Sequence, residues 1–146
     1  MADYTEKYWE THQLLGHIHP ATYTTEQNTG YFDCSTFHRL AIVIHSGVLA
    51  VNLDIDIEQA TDTAGAGAKT FNAGTHDTLI TATTDNDTIV VIDVSTDEFD
   101  VDGGFDCLNV ECTPAGQSND IFSVEVWGIV PRFAAVPTTA LHATIG

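Results

Sequence analysis

Basic residues are what this 146-residue chain has least of: Lys7, Arg39, Lys69 and Arg132 stand against 21 Asp and Glu, for a net charge of −17. Nucleic acid is held first through phosphate neutralisation and counterion release, and four basic residues supply no such footprint. Nucleic acid is therefore excluded as a partner, and an anionic membrane surface with it. Long apolar runs are missing too. No stretch of 18 apolar residues exists, so no transmembrane helix is expected. The opening "MADYTEKYWETHQ" is polar and acidic, without the apolar core of a secretory leader, and none is expected. Cys34, Cys107 and Cys112 are odd in number and form no C-x-x-C pair, which fits reduced thiols made in a cytoplasm. Five residues apart on a strand pattern, Cys107 and Cys112 point to opposite faces.

Catalytic motifs are lacking as well. The stretch "VNLDIDIEQATDTAGAGAKTF" (51–71) resembles a phosphate-binding loop only at first sight. A P-loop is G-x-x-x-x-G-K-[ST] running straight into a helix. Here Ala68 separates Gly67 from Lys69, Asp62 occupies the place of the first glycine, and "FNAGTHDT" has no helical period. Gly65 and Gly67 are expected to shape a loop tip, and Lys69 to pair with a carboxylate. Ser46 follows His45 in "HSG", but no G-x-S-x-G elbow surrounds it. Cys34 and His38 lie in loop-like sequence. No enzyme activity, catalytic residue or cofactor is expected.

What is present is a pattern of short strands. Hydrophobic residues make up 43%, enough to oppose disorder, and the length fits one domain burying roughly 70% of its unfolded surface. "LAVNLDIDIEQ" (49–59) alternates, placing Val51, Leu53, Ile55 and Ile57 inward and Asn52, Asp54, Asp56 and Glu58 outward. "FDCLNVECT" (105–113) aligns Leu108, Val110 and Cys112. "IFSVEVWGIV" (121–130) aligns Phe122, Val124 and Val126, opposite Trp127 and Ile129. "RLAIVIHS" (39–46) and "DTIVVIDVS" (87–95) read as central strands covered on both faces, and "TLITATT" (78–84) as a sixth strand. Turn signals separate them, and no βαβ alternation occurs. The expected fold is all-β, an antiparallel β-sandwich or jelly roll spanning residues 37–133. Residues 1–36 read as an extended N-terminal arm with a brief helix over Tyr8–Leu15, anchored by Tyr4, Tyr8, Trp9, Leu14 and Leu15. Residues 134–146 read as a C-terminal tail.

Two sets of residues have the chemistry of metal ligands. His12, His17 and His19 form H-x4-H-x-H. On extended chain His17 and His19 share a face and could hold Zn²⁺ or Ni²⁺, but no third ligand is dictated, and they are read as surface or packed histidines. Asp54, Asp56 and Glu58 step along one strand face, most simply a solvated one. "EFDVDGGFDCLN" matches the start of an EF-hand loop at Glu98, Asp100, Asp102 and Gly103. Asn109, however, stands where the bidentate Glu belongs, and strands flank the loop. No metal site is assigned; a cation, were one held, would sit at Glu98, Asp100 and Asp102.

The succession "YFDCSTFHRLAIVIHSGVL", "QATDTAGAGAKTF", "FDVDGGF" and "WGIVPRFAAVP" resembles a group of small virion structural proteins of tailed bacteriophages, over about residues 30 to 137. The similar features are the lead-in Asp33–Arg39, the glycine loop before Lys69, the Gly103–Gly104 turn and the late Pro131-Arg132-Phe133. This resemblance implies a capsid decoration, or cement, protein. It would be made in the bacterial host cytoplasm and located on the outer capsid surface of the virion. Its partners would be the major capsid protein and itself, as a homotrimer. In such a protein the interface residues would be the arm's anchors Tyr8, Trp9, Leu14 and Leu15, which lie outside the resemblance, with Trp127 and Ile129, which the strand period turns away from Phe122, Val124 and Val126. A neck or tail connector, and a cation- or carbohydrate-binding adhesion module, are the alternatives.

Overall fold

The structure is a computed structural model that describes residues 8–132. The C-terminal tail 134–146, together with Tyr4 and Lys7 of the expected arm, lies outside the described residues, as does the side chain of Trp9. One helical turn, α1 (Tyr8–Thr11), precedes ten strands: β1 (Gln13–Tyr23), β2 (Gln27–Asn28), β3 (Phe32–Asp33), β4 (Arg39–Leu49), β5 (Leu53–Ala60), β6 (Lys69–Thr70), β7 (Thr78–Ile80), β8 (Ile89–Ser95), β9 (Cys107–Pro114) and β10 (Asp120–Gly128). Every pairing is antiparallel. The first sheet has the order β1-β10-β4-β8; the second is β2-β9-β5-β6, with β3 also on β9 and β7 also on β5. The chain is an all-β sandwich, as the strand patterns predict.

The second sheet has broken edges. β2 and β3 are two halves of one border along β9, and β7 and β6 two halves of the other along β5. Side chains fill the breaks. Between β2 and β3, the Thr29 hydroxyl accepts from Val110 N at 3.0 Å. Between β6 and β7, Asp77 Oδ1 accepts from Ile57 N at 3.0 Å. Each satisfies a strand N–H that would otherwise lack a partner.

Alternation decides what meets in the middle. Leu40, Ile42 and Ile44 of β4 and Phe122, Val124 and Val126 of β10 are buried against Leu53, Ile55 and Ile57 of β5 and Leu108, Val110 and Cys112 of β9. Each fully covered aliphatic chain contributes about 1.5–3 kcal/mol, and this layer is the core. Asp120, fully buried at the start of β10, accepts through Oδ1 from Ala50 N at 2.8 Å and Val51 N at 3.1 Å. It thereby pins the segment by which the chain leaves β4 for β5 in the other sheet.

Three sequence-based expectations need correction. The region 1–36 is not an arm over its described part: β1 pairs with β10 along its length, and β2 and β3 border β9. Leu15 and Ile18 belong to the core, so this segment closes the sandwich. The brief helix stops at Thr11, and Leu14 and Leu15 continue as strand. Secondly, β4 is buried on one face only, with His45 exposed and Ala41 and Val43 half-covered on the other. Thirdly, β8 is an edge strand. Val94 is buried, but Ile89 and Val91 point outward at 60% exposure each.

The three cysteines are free and buried. Burial, followed by the nearby Cys107, pushes the Cys34 thiol far up. Burial and the Asp106 carboxylate push Cys107 up to about 12. Burial likewise raises Cys112. None is a ready thiolate nucleophile.

Candidate functional site: the outer face of the first sheet

Register sets the composition of this face. One row across the sheet reads Leu14, Trp127, Ala41 and Asp93; the next reads His17, Glu125, Val43 and Val91; a third places Ser123 beside His45 and Ile89. All these residues have the outward parity of their strands. Within the four strands, Asp93 and Glu125 are the face's only carboxylates, in a chain of charge −17. Asp93 is paired with Arg39, whose Nε donates at 3.3 Å. Glu125 accepts from Trp127 Nε1 at 3.1 Å.

Tyr8 extends the apolar area over the end of the sheet. Its ring meets Trp127 edge-on at a centroid distance of 5.6 Å and stacks on His12 at 4.2 Å. It remains 56% exposed. Partial burial, and then Glu125, raise the Tyr8 hydroxyl pKa. Exposed apolar side chains are ordinary singly; here Ile89 and Val91 of β8 and Tyr8 stand out, on a face that His17, Glu125, Ser123 and His45 interrupt.

The interface residues expected from sequence divide. Tyr8, Leu14 and Trp127 come together here. Ile129, half-buried, lies just past β10, where its N–H donates to Arg39 O at 3.1 Å. Leu15 points into the core. Ile89 and Val91 were not expected: a β-branched run reads alike in a central strand and at an edge, and only pairing reveals which it is.

The outer face of the second sheet is the electrical opposite. Asp56 pairs in register with Glu111, and Asp54 and Glu58 flank them on β5. Burial, with Asp54, Asp77 and Glu58 nearby, raises the pKa of Asp56; burial, with Glu58, Glu26 and Asp56, raises that of Glu111. Tyr31 donates its hydroxyl to Glu58.

The carboxylates of the acidic turn are engaged by donors of the protein itself. Glu98 Oε1 accepts from Ser95 N at 3.0 Å, while Oε2 takes Asn72 Nδ2 and His76 Nε2, each within hydrogen-bond reach. Burial pushes the Glu98 carboxyl upward, but the hydrogen bonds from His76 and Ser95 outweigh it and hold the pKa low. Asp100 accepts from Lys69 Nζ at 2.5 Å and Gly103 N at 3.1 Å, which lowers its pKa. Asp102 is exposed. Among the described residues, no group of three or more His, Cys, Asp or Glu is arranged to hold a metal ion. The partner expected for Lys69 is thus Asp100, with the ammonium also 4.1 Å from the Phe105 ring centroid. Gly65 and Gly67 form the loop tip, with φ of +84° and +66°, a backbone conformation that suits glycine.

No protein-family model matches this chain, and no curated protein sequence matches it.

Proposed function

We propose that this chain is a non-enzymatic structural protein of a tailed-phage virion, a decoration protein that binds the outside of the capsid shell and stabilises it. The observation that carries this reading is the contrast between the two outer faces. One sheet presents Tyr8, Trp127, Val43, Ile89 and Val91; the other presents Asp54, Asp56, Glu58 and Glu111. A sandwich of this kind has a side to dock and a side to leave in water. The major capsid protein is the partner for the apolar side, and like-charge repulsion between acidic faces keeps bound copies from stacking outward. The resemblance over residues 30 to 137 supports the same reading, including a trimeric arrangement.

Cryo-electron microscopy of particles carrying the protein tests it. The expected result is density on the capsid exterior with the first sheet turned toward the shell. Density confined to one vertex or to the tail would make the protein a connector component and overturn the decoration reading. In parallel, particles incubated with an Ile89→Asp, Val91→Asp variant are expected to bind none of it.

A further inference from the structure

His17 and His19 project from the same face of β1, and their Nε2 atoms are 3.1 Å apart. The ring planes lie 73° apart with centroids at 4.4 Å, so the two nitrogens converge without the rings stacking. A register shift in the β1–β10 ladder lies between Ile18 and Ala21, so His19 sits where two residues of β1 face one of β10. Both imidazoles border an open cleft of about 400 Å³, whose lining includes His45 from β4 and Glu125 and the small Ser123 from β10.

We propose that His17 and His19 form a two-imidazole site for a divalent transition-metal ion of the Zn²⁺, Ni²⁺ or Cu²⁺ class. Metal–imidazole bonds are about 2.0–2.1 Å, and at that length a 3.1 Å nitrogen separation subtends an angle of about 95–102°. This lies between the square-planar and tetrahedral values, so the spacing of the two nitrogens already suits these ions. Without metal, one Nε2–H donates to the other Nε2. Binding requires both Nε2 lone pairs, so both rings then carry their proton on Nδ1. Ca²⁺ and Mg²⁺ prefer oxygen and are not the occupants. The cleft is open to water for the remaining positions, so the protein supplies two ligands and solvent the rest. The cleft opens on the face that the proposed function turns toward the shell, so the titrations use the free chain, where docking does not enter.

Calorimetric titration of the full chain with Zn²⁺ alone tests it, together with a Ni²⁺ titration followed through the imidazole resonances by NMR. The expected results are one ion per chain and paramagnetic broadening that starts at His17 and His19. His17→Ala and His19→Ala should each weaken binding at least about tenfold, and His38→Ala should leave it unchanged. Circular dichroism checks that each variant is folded. Because the side chains lie on an open cleft at a sheet edge, His17→Gln provides a second, milder variant. Absence of Zn²⁺ binding overturns the proposal, as does wild-type affinity in both His17 variants, or broadening centred on other histidines.

Discussion

The guanidinium of Arg132 closes on the backbone of Phe37: Nε donates to the Phe37 carbonyl at 3.1 Å, although 95 residues separate them. Thr96 completes a ring, donating its hydroxyl to the same carbonyl at 2.9 Å and accepting from Arg132 Nη2 at 3.0 Å. A bridge between Phe37 and Pro131 lies alongside. The lead-in to β4, the end of β8 and the exit from β10 are thus tied at one point. Arg132→Ala is expected to destabilise the fold by about 1.5–3 kcal/mol, the range for hydrogen bonds to a charged group. Arg132→Lys should recover little of it, because one ammonium cannot serve two separated acceptors as a planar fork does. Urea denaturation of the three proteins measures this.

The exposed apolar residues of β8 give the opposite result in the same assay. Ile89→Asp with Val91→Asp should change stability by no more than about 0.5 kcal/mol per site, as exposed positions usually do. Its effect should fall on particle binding. A large stability loss would mean that the fold itself needs this face, leaving the docking role without its main support.

On the acidic sheet, Asp56→Asn with Glu111→Gln should stabilise, by about 0.2–1 kcal/mol, the range for cross-strand charge pairs. The sign of the pH dependence follows from the raised folded pKa of both carboxyls. Their mutual repulsion is present at neutral pH and is relieved as acid protonates them. The gain of the double variant should therefore be full near pH 7, shrink as pH falls through the raised folded values of the two carboxyls, and vanish once both are protonated in the folded and unfolded chain alike. Glu98 and Asp100 run the other way. Their lowered pKa stabilises at neutral pH, and that contribution is lost on acidification through their folded values. Thermal denaturation of the wild type and double variant at pH 7 and pH 4 separates the two trends.

Gly128 lies against the ring of Phe37: a Cβ built there would stand 2.6 Å from three ring carbons, and that ring is fully buried. Gly128→Ala should cost about 1–3 kcal/mol, as overpacking does. Pairing it with Phe37→Leu should restore part of the loss, which a thermodynamic double-mutant cycle reads directly.

The cysteines should resist an aromatic disulfide reagent at pH 8 while the chain is folded, since burial raises all three thiols and holds Cys107 at about 12. Denaturant should release three equivalents. Rapid reaction of even one thiol in the native protein would show that the packing around β9 opens easily.

How much of this was legible in the sequence differs from strand to strand. In β5, β9 and β10 the two-residue period is intact, and the inward sets around Ile55, Val110 and Val124 could be read without coordinates. β1 hid itself. Its register shifts, between Leu14 and Gly16 and between Ile18 and Ala21, break the period that identifies a strand, so Leu15 and Ile18 do not read as a core pair. β4 and β8 have similar β-branched content, and what distinguishes them is a neighbour on the far side, which only the tertiary structure supplies. The shared face of His17 and His19 follows from local period alone, whereas their meeting with His45 and Glu125 depends on the order β1-β10-β4. Likewise a carboxylate partner for Lys69 was foreseeable, but not that Asp100, 31 residues away, would be the one.

The interrupted borders of the second sheet bear on how this protein ages in concentrated solution. Runaway cross-β growth requires a subunit to accept a strand on one side and offer another on the opposite side. Here both borders of the second sheet are cut into pieces of two or three residues, and β1 is kinked by its two register shifts. Among the described residues, only β8 offers a seven-residue border without a register shift. A building block with a single usable border can cap a growing fibril but cannot relay it. Slow aggregation should therefore stall at small, countable species.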